Sequence, residues 1–386
     1  MGRGDFPAAE FERRLGLVRG QMGARSLDSL VVIHPASIHW LTGSEAKSYQ
    51  EFQCLIVGAR ESSPLVALVR AGEVHELETE ARVDEVVGWG GGIAEDPIAA
   101  FEAVARRHGV LGGRVGLEVP GYYLHPHHYE ALCDLIGADR LVDATLLVAD
   151  LRMVKSPLEL AYVREAARLA DLGMQQFTAA SPLGRSELEL AGDIYDTLLR
   201  AGSGIAASPI NLVSGPRSAY SHGAPTERRL AVGDFGSIEF GATFKRYTST
   251  IGRQFVLGRP TARMRELYDV VRAASDAMLA VIGDGVAAIE VHEAARQIIA
   301  AAGLDRYRVH LSGYGLGPSF PPSWAEPLHL LEGTSYTLRS GMVITVEPPV
   351  FIGEEGLGAR IIDNVIVTDS GADLLSMVTR DLFEVA

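Results

Sequence analysis

Glu239 is the residue of this sequence whose chemistry most needs an explanation. It stands among apolar and small residues in a segment, 233–255, whose pattern is typical of two strands joined by a turn. Burying a carboxylate there costs free energy unless a partner pairs with it or it takes part in a reaction. A structural role would pair Glu239 with Arg253 or Lys245, whereas a chemical role would make it a nucleophile or a base.

A histidine is the type of side chain that such a carboxylate needs as its partner. An imidazole titrates near neutral pH, so it can both take up and return a proton. A carboxylate that attacks an amide or amidine carbon needs such a partner to protonate the leaving nitrogen. A carboxylate and a histidine brought together can therefore hydrolyse a C–N bond.

Three further side chains are of types that suit a binding pocket. Tyr314 lies in residues 313–317 (GYGLG), and its hydroxyl either contacts a ligand or fills space. Glu347 either binds a cationic group or is held by backbone donors, and Trp324 either anchors a loop or forms an aromatic wall against a cationic ring. The glycine-rich segment is not a phosphate loop, because it lacks the strand-to-helix context and the following lysine.

Two regions with different patterns must position these residues. Over about the first 150 residues, short apolar strands alternate with helical patterns, which indicates an α/β domain. Ser156, Pro157 and Glu159 then have the types and spacing of an N-cap, a first-turn proline and a capping box. We therefore predict an N-terminal domain over residues 1–155 and a C-terminal catalytic domain over residues 156–386.

Periodicity predicts the elements of both regions. In the first, helices are expected at 8–22, 95–108 and 126–137, and strands at 29–34, 53–57, 65–69 and 115–118. In the second, helices are expected at 157–180, 187–202, 261–282 and 288–302, and strands at 334–338, 343–347 and 361–367.

Composition excludes several classes of protein. The 386 residues carry a formal net charge of −14, which argues against a nucleic-acid or anionic-membrane surface. Two cysteines give no disulfide framework, and the first six residues lack the apolar core of a signal peptide. No run approaches the ~18 apolar residues of a membrane span. We expect a cytoplasmic protein with a small-molecule substrate and no nucleic-acid or membrane partner.

The Glu239 hairpin, residues 40–43 (WLTG), 152–157 (RMVKSP) and 313–317 resemble motifs of the creatinase/prolidase superfamily. The resemblance covers nearly the whole chain. It implies an α/β creatinase-like N-terminal domain followed by an α+β "pita-bread" catalytic domain. It also implies a homodimer in which the N-terminal domain of one subunit covers the partner's pocket, where Tyr49 and Phe52 would contact the substrate.

In metal-dependent members of the superfamily, five side chains hold two cations. Matched motif by motif, those positions hold Glu239, Thr250, Tyr314, Glu347 and Ile362 here. A dinuclear site needs several oxygen or nitrogen donors that converge, and this set retains only two carboxylates. The resemblance therefore implies no metal, and we expect no other cofactor.

The changes at these positions are similar to those of the ectoine hydrolase branch. That branch has a glutamate before a Lys-Arg-Tyr turn, here residues 245–247, a Gly-Tyr pair, and a segment like residues 320–324 (FPPSW). One residue differs from this branch: the glutamate at position 347 is expected to be absent from ectoine hydrolases, whereas creatinase and the peptidases have it. The prediction is a metal-independent hydrolase of a small cyclic, amidine or amide compound, ectoine-like or creatine-like.

In this prediction Glu239 is the nucleophile or base. His222 carries protons, because the resemblance places it where the family keeps a histidine near the scissile bond. The remaining candidates would bind the substrate: Tyr314, His310, Glu347, Trp324 and Tyr247 in the catalytic domain, besides Tyr49 and Phe52. His310 is included because peptidases of the superfamily often carry a second histidine four residues before the position of Tyr314. Two alternatives stay open: a metal-dependent Xaa-Pro peptidase with atypical ligands, and a catalytically silent binding module on the same fold.

Overall fold

The computed structural model of the 386-residue chain describes residues 6–385. The residues up to Arg152 form one compact unit and those from Met153 form a second. Residues 1–5 lie outside the described part, and so does most of the six-residue segment on which the prediction of no signal peptide rests. Among the described helices, none combines the length and apolarity needed to cross a membrane.

The first unit is a mixed sheet with helices packed against it. Its elements are α1 (Ala8–Ala24), β1 (Ser29–Val32), α2 (Pro35–Thr42), β2 (Cys54–Gly58), β3 (Val66–Arg70), α3 (Val74–Glu80), β4 (Glu85–Trp89), α4 (Pro97–Arg107), β5 (Val115–Leu117), α5 (Pro126–Ile136), β6 (Leu141–Asp143) and α6 (Leu147–Met153). The strand order is β4-β3-β2-β1-β5-β6, with β1 parallel to β5 and antiparallel to β2. All of β1 is buried, as its apolar run predicts for a central strand.

The second unit begins with two capped helices, α7 (Pro157–Ala179) and α8 (Glu187–Arg200). Both predicted capping boxes are confirmed: the backbone N–H of Ser156 donates to Glu159 (2.9 Å), and that of Ser186 donates to Glu189 (2.7 Å). These reciprocal bonds satisfy backbone donors that the first turn of a helix leaves without intrahelical partners. The sequence therefore fixes where each helix begins.

A largely antiparallel sheet carries the rest of this unit. Its strands and the remaining elements are β7 (Asn211–Ser214), β8 (Phe235–Phe244), β9 (Tyr247–Leu257), α9 (Ala262–Val281), α10 (Ala288–Ala301), β10 (Tyr314–Phe320), β11 (Ser323–His329), β12 (Val343–Val346), β13 (Val350–Ile352), β14 (Leu357–Ala359), β15 (Asp363–Thr368), β16 (Gly371–Leu374) and β17 (Phe383–Val385). The order is β16-β15-β12-β10-β9-β8-β7, with β11 beside β10 and β17 beside β9. β13 and β14 form a separate pair.

The predicted strand at 334–338 is wrong. That segment makes one isolated bridge, between Thr337 and Ala287, and its backbone bonds go to the short loop before α10. A loop that turns at once into a helix offers no extended partner, so no ladder forms. Periodicity within the segment could not show which partner it would have.

The predicted Glu239 hairpin is β8 and β9, and it lies at the centre of the sheet. The loop consists of Lys245 and Arg246, both with positive φ (51° and 67°), as expected for a two-residue turn that matches the twist of its strands. One face of the hairpin packs against α7 and α8 through Phe240, Phe255 and their neighbours. Because β8 and β9 are buried along almost their whole length, a polar side chain on them needs a specific partner.

Gly252 allows the segment before β15 to approach the hairpin. It exchanges two backbone hydrogen bonds with Ile362, of 3.1 and 3.0 Å. A Cβ at position 252 would lie 2.7 Å from Cγ1 of Ile362. This contact brings residues 360–364 against β9.

We expect Gly252→Ala to lower the free energy of unfolding by about 1–3 kcal/mol, because the added methyl group must displace Ile362. Ile362→Ala in the same chain should restore part of the loss. The measurement is urea-induced unfolding followed by circular dichroism. Gly192→Ala is the control: Gly192 is exposed on α8 with no atom within 4 Å of an added Cβ, so stability should rise slightly. Equal effects at the two glycines would contradict the packing argument.

Candidate active site

A small cavity in the second unit brings together the chemically active side chains. It is lined by His222, Glu239, His310, Tyr314, Glu347, Pro349, Arg360 and Ile362, and we call it the Glu239 cavity. The space open to water is about 20 Å³, enough for about one water molecule. Residues separated by more than one hundred positions in the sequence therefore meet around a single small space.

Glu239 is held in the middle of β8 by two partners. It is 4% exposed, Asn211 on β7 donates a hydrogen bond to its Oε2 (3.1 Å), and Arg360 donates to the same oxygen through Nη1. Arg360 also donates through Nη2 to the carbonyl oxygen of Ser221, the residue before His222. Arg360 therefore connects the carboxylate to the loop that carries the histidine.

The structural partners considered for Glu239 from the sequence are not the ones observed. Arg253 donates instead to Asp363 (2.8 Å), and both side chains are fully buried. Arg360 was overlooked, although it begins the segment 360–364 that carries Ile362. The available signal was an arginine two residues before a position that is acidic in metal-dependent relatives.

The two histidines of the cavity lie edge to face. The ring centroids of His222 and His310 are 5.2 Å apart, with an interplanar angle of 67°. Nδ1 of His310 lies 3.0 Å from the carbonyl oxygen of Leu311, so this nitrogen carries the proton and donates it. Burial lowers the pKa of His310, with a further contribution from His222, which keeps the ring neutral near pH 7.

Glu347 follows β12, and its side chain faces the cavity. It is 4% exposed, and its Oε1 is buried and makes no hydrogen bond within residues 6–385. Nδ1 of His310 is 3.8 Å from this oxygen, beyond hydrogen-bond distance. Burial raises the pKa of Glu347 well above its ordinary value, and the nearby Glu239 adds to the shift, whereas Arg360 opposes it.

Tyr314 fills the cavity wall at the start of β10. Its hydroxyl oxygen accepts a hydrogen bond from Nε1 of Trp324 (2.8 Å), and burial, with Glu347 and Glu239 close by, raises its pKa well above 10. Trp324 does not line the cavity; it packs over Gly241 on β8. Of the two roles considered for Trp324, its position matches the anchor.

Thr250 and Ile362 stand at two further positions that hold metal ligands in the metal-dependent members of the superfamily. The hydroxyl of Thr250 accepts a hydrogen bond from Asn364 (2.9 Å), and Asn364 also accepts one from the backbone N–H of Thr250. Ile362 presents a hydrocarbon side chain to the cavity. Thr250 and Ile362 therefore provide no carboxylate for a metal, and the hydroxyl of Thr250 is already hydrogen-bonded to Asn364.

Three further residues that were predicted to bind the substrate also lie outside the Glu239 cavity. Tyr247 is fully buried and donates its hydroxyl to Glu159 at the start of α7 (2.7 Å), so it joins the hairpin to that helix. Tyr49 and Phe52 belong to the first unit, where Tyr49 packs edge-on against Tyr123 and Phe52 is buried. Their contact with substrate, and the homodimer on which it depends, stay predictions.

The chain matches known proteins along nearly its whole length. Residues 161–369 match the family described as Metallopeptidase family M24, and residues 14–154 match the Creatinase/Prolidase N-terminal domain. The chain belongs to metallopeptidase family M24, and it is a hydrolase of that family. The predicted superfamily, and the predicted creatinase-like domain followed by a pita-bread domain, are confirmed.

Relatives that share the full length carry peptidase names. The probable dipeptidase PepE of Mycobacterium tuberculosis is 30% identical, covering 100% of this chain and 99% of that protein. The Xaa-Pro dipeptidase of Pyrococcus furiosus is 31% identical, covering 94% of this chain and 97% of that protein. The crystal structure of dipeptidase PepE from Mycobacterium ulcerans superposes with a TM-score of 0.86 at 28% identity, covering 98% of this chain and 99% of that one.

These relatives overturn the predicted activity. The prediction of a metal-independent hydrolase of an ectoine-like or creatine-like compound is wrong, because the full-length relatives are named dipeptidases within a metallopeptidase family. The prediction gave more weight to a few residues of the site than to the similarity of the whole chain. The peptidase alternative is the one that the comparisons favour.

The family implies a metal pair, and the residues of this chain do not fit one. Arg360 places a cation against Glu239, where it would repel a metal, and Tyr314, Thr250 and Ile362 offer no carboxylate or imidazole. Within residues 6–385, no group of three or more histidine, cysteine, aspartate or glutamate side chains is arranged to hold a metal ion. We therefore derive no catalytic step through a metal.

Arg360→Met should lower the free energy of unfolding by about 3–5 kcal/mol, because it leaves the buried Glu239 carboxylate without its cation. Adding Glu239→Gln should recover part of that loss. Equilibrium unfolding in urea measures both. The control is Arg200→Met, which removes an exposed ion pair with Asp196 and should change stability by less than about 1 kcal/mol. Similar losses in the two arginine variants would show that the pair does not hold the site.

Glu347 should make stability fall as pH rises above its ordinary pKa of 4.5. In that range the unfolded chain has released the proton that the folded protein still holds, so the free energy of unfolding decreases with pH. Glu347→Gln removes this titration. The melting temperature of the variant minus that of the wild type should therefore increase from pH 5 to pH 8. Glu12→Gln, at an exposed position on α1, is the control and should follow the wild type. A constant difference between Glu347→Gln and the wild type would contradict the raised pKa.

Proposed function

We propose that this hydrolase cleaves the peptide bond of a dipeptide in the Glu239 cavity. The observation that carries the proposal is the convergence of two carboxyl groups, two imidazoles and one guanidinium on a space the size of a water molecule. Proton-transfer groups of this kind suit the hydrolysis of an amide bond. The names of the full-length relatives, dipeptidase and Xaa-Pro dipeptidase, support a short peptide as the substrate.

Glu239 is the group that activates water in this proposal. Both hydrogen bonds from Asn211 and Arg360 go to Oε2, so Oε1 keeps its lone pairs for a proton from water. The water attacks the carbonyl carbon, its proton passes to Oε1, and a tetrahedral intermediate forms. The two bonds to Oε2 fix the direction of the carboxylate during this step.

His222 takes the proton from Oε1 of Glu239, which restores the carboxylate, and gives it to the leaving nitrogen. His310 is unsuited to this role, because its single proton is on Nδ1 and is donated to Leu311. His222 lies beside it on the loop held by Arg360. When the C–N bond breaks, the amine takes a proton and leaves, and the carboxyl product keeps the oxygen of the water.

Arg360 stabilises the negative charge that develops on the carbonyl oxygen. Its Nε is buried and has no hydrogen-bond partner within residues 6–385, so one donor of the guanidinium is unused. A fixed donor in a water-poor site lowers the energy of an oxyanion without reorganisation. The same residue thus holds Glu239 in place and receives the charge of the reaction.

Purified protein should release free amino acids from a panel of dipeptides that includes Xaa-Pro substrates. Glu239→Gln should lower kcat by at least about 100-fold, because it removes the general base, and His222→Ala should have a similar effect. Arg200→Met, on the surface of α8, is the control and should keep wild-type kcat. Amino acid release is measured by chromatography, with the metal content of each preparation determined in parallel.

Turnover of ectoine or creatine by the same preparations without any release from dipeptides would overturn the proposal. Full activity of a folded Glu239→Gln variant would overturn the role of that carboxylate.

A further inference from the structure

His222 belongs to a long loop whose two ends are bound at one point. We call residues 214–226, which run from the end of β7 towards β8, the His222 loop. His222 lines the Glu239 cavity, although the residue as a whole is exposed. An exposed side chain has few packing contacts, so its position depends on how the rest of the loop is held. The contacts at the ends of the loop therefore help to decide where the imidazole lies.

Glu187, the first residue of α8, binds both ends of the His222 loop. It is fully buried, and its carboxylate accepts four hydrogen bonds. Oε1 accepts one from the hydroxyl of Ser214 (2.7 Å). Oε2 accepts two from Thr226, through its backbone N–H (2.9 Å) and its hydroxyl (2.7 Å), and one from Nη1 of Arg217. One side chain thus joins the first residue of the loop, the last residue and an arginine between them.

The backbone at the start of α8 supports the same contact. The N–H of Leu188 donates to the carbonyl oxygen of Thr226 (3.1 Å), and the N–H of Glu187 donates to that of Arg228 (3.0 Å). The first N–H groups of a helix have no intrahelical partner, so they can bind a neighbouring segment. Arg228 in turn donates through Nη1 to the hydroxyl of Ser214 (2.7 Å). The end of the His222 loop is therefore fixed to α8 by backbone and side chain together.

A buried carboxylate is a costly way to stabilise a fold, because apolar side chains of similar volume often do so equally well. Its hydrogen bonds, however, have direction, so they hold the loop in one orientation. The charge of Glu187 is paired with Arg217, which lies within the loop. Arg360 supplies a second anchor, since its Nη2 donates to the carbonyl oxygen of Ser221. Anchors thus precede and follow His222 in the chain.

We propose that Glu187 is a positioning residue for hydrolysis, which holds His222 where it can pass a proton from Glu239 to the leaving nitrogen. The proposal rests on the peptidase function given above. Proton transfer requires donor and acceptor atoms within about 3 Å of each other, and a displacement of about 1 Å can cost about 100-fold in rate. Glu187 is not among the residues that line the Glu239 cavity, so it acts through His222.

Three variants separate positioning from stability. Glu187→Ala removes all four hydrogen bonds of the carboxylate. Glu187→Gln keeps an oxygen for Thr226 and Arg217, and its amide N–H can donate to the hydroxyl of Ser214, so the loop should stay in place. Glu189→Ala is the matched control, because it breaks the capping box with Ser186 in the same turn of α8. Both alanine variants should lower the midpoint of urea-induced unfolding.

The readouts are kcat and KM for L-alanyl-L-proline and the nuclear magnetic resonance signals of ¹³C-labelled histidine rings, with that of His222 assigned from His222→Ala. Glu187→Ala should lower kcat about 10- to 100-fold and leave KM within about threefold. Glu187→Gln and Glu189→Ala should keep kcat within about threefold of the wild type. The signal of His222 should shift in Glu187→Ala alone, together with that of His310, because the two ring centroids are 5.2 Å apart.

Equal losses of kcat in Glu187→Ala and Glu189→Ala would attribute the effect to stability and overturn the proposal. Unchanged kcat in a folded Glu187→Ala variant, or a loss of kcat with the His222 signal unmoved, would also overturn it. Absence of hydrolysis of any dipeptide by the wild type, with the His222 shift confined to Glu187→Ala, would overturn the peptidase function and support the hold of Glu187 on His222.

Thr226→Val covers the case in which Glu187→Ala does not fold. It has the same shape and keeps the backbone N–H, but it removes the hydroxyl that donates to Glu187. The His222 signal should shift in this variant too, and kcat should fall about 3- to 10-fold. An unmoved signal with wild-type kcat would overturn the proposal.

Discussion

The buried ion pair between Arg360 and Glu239 is the interaction on which the site depends. It joins the centre of β8 to the segment before β15, and the second hydrogen bond of Arg360 adds the loop that carries His222. A buried carboxylate without a cation is strongly destabilising, so these three segments cannot separate without leaving a buried charge unpaired. The close approach at Gly252 and Ile362 supports the same arrangement from the backbone.

This ion pair also decides the electrostatics of the cavity. It places the cation Arg360 against Glu239, whereas Oε1 of Glu347 accepts no hydrogen bond from residues 6–385. The environments of the two acids therefore differ: Glu239 accepts hydrogen bonds from Asn211 and Arg360, while burial raises the pKa of Glu347. Two carboxyl groups in such different environments are typical of sites in which each has its own task.

The prediction of the fold was right and the prediction of the activity was wrong, because local sequence patterns specify helices and motifs but not the substrate. Helix starts depend on neighbours three residues apart, so Ser156 and Ser186 could be read as caps directly. The residues at five ligand positions were also identified directly. Their loss, however, says which donors are missing and does not say which substrate the rest of the pocket accepts; for that, similarity along the full chain to named dipeptidases proved the better guide.

The sequence by itself determined the seven predicted helices, the superfamily, and five candidate residues of the site, because local pattern and motif carry that information: Glu239, His222, His310, Tyr314 and Glu347. Only the tertiary structure showed that Arg360 pairs with Glu239 and that Tyr247 donates to Glu159. It also showed that Oε1 of Glu347 is buried with no hydrogen bond from the described residues. The reason is physical: pairing energy depends on distance and burial, and residues 239 and 360 meet only after the sheet has formed.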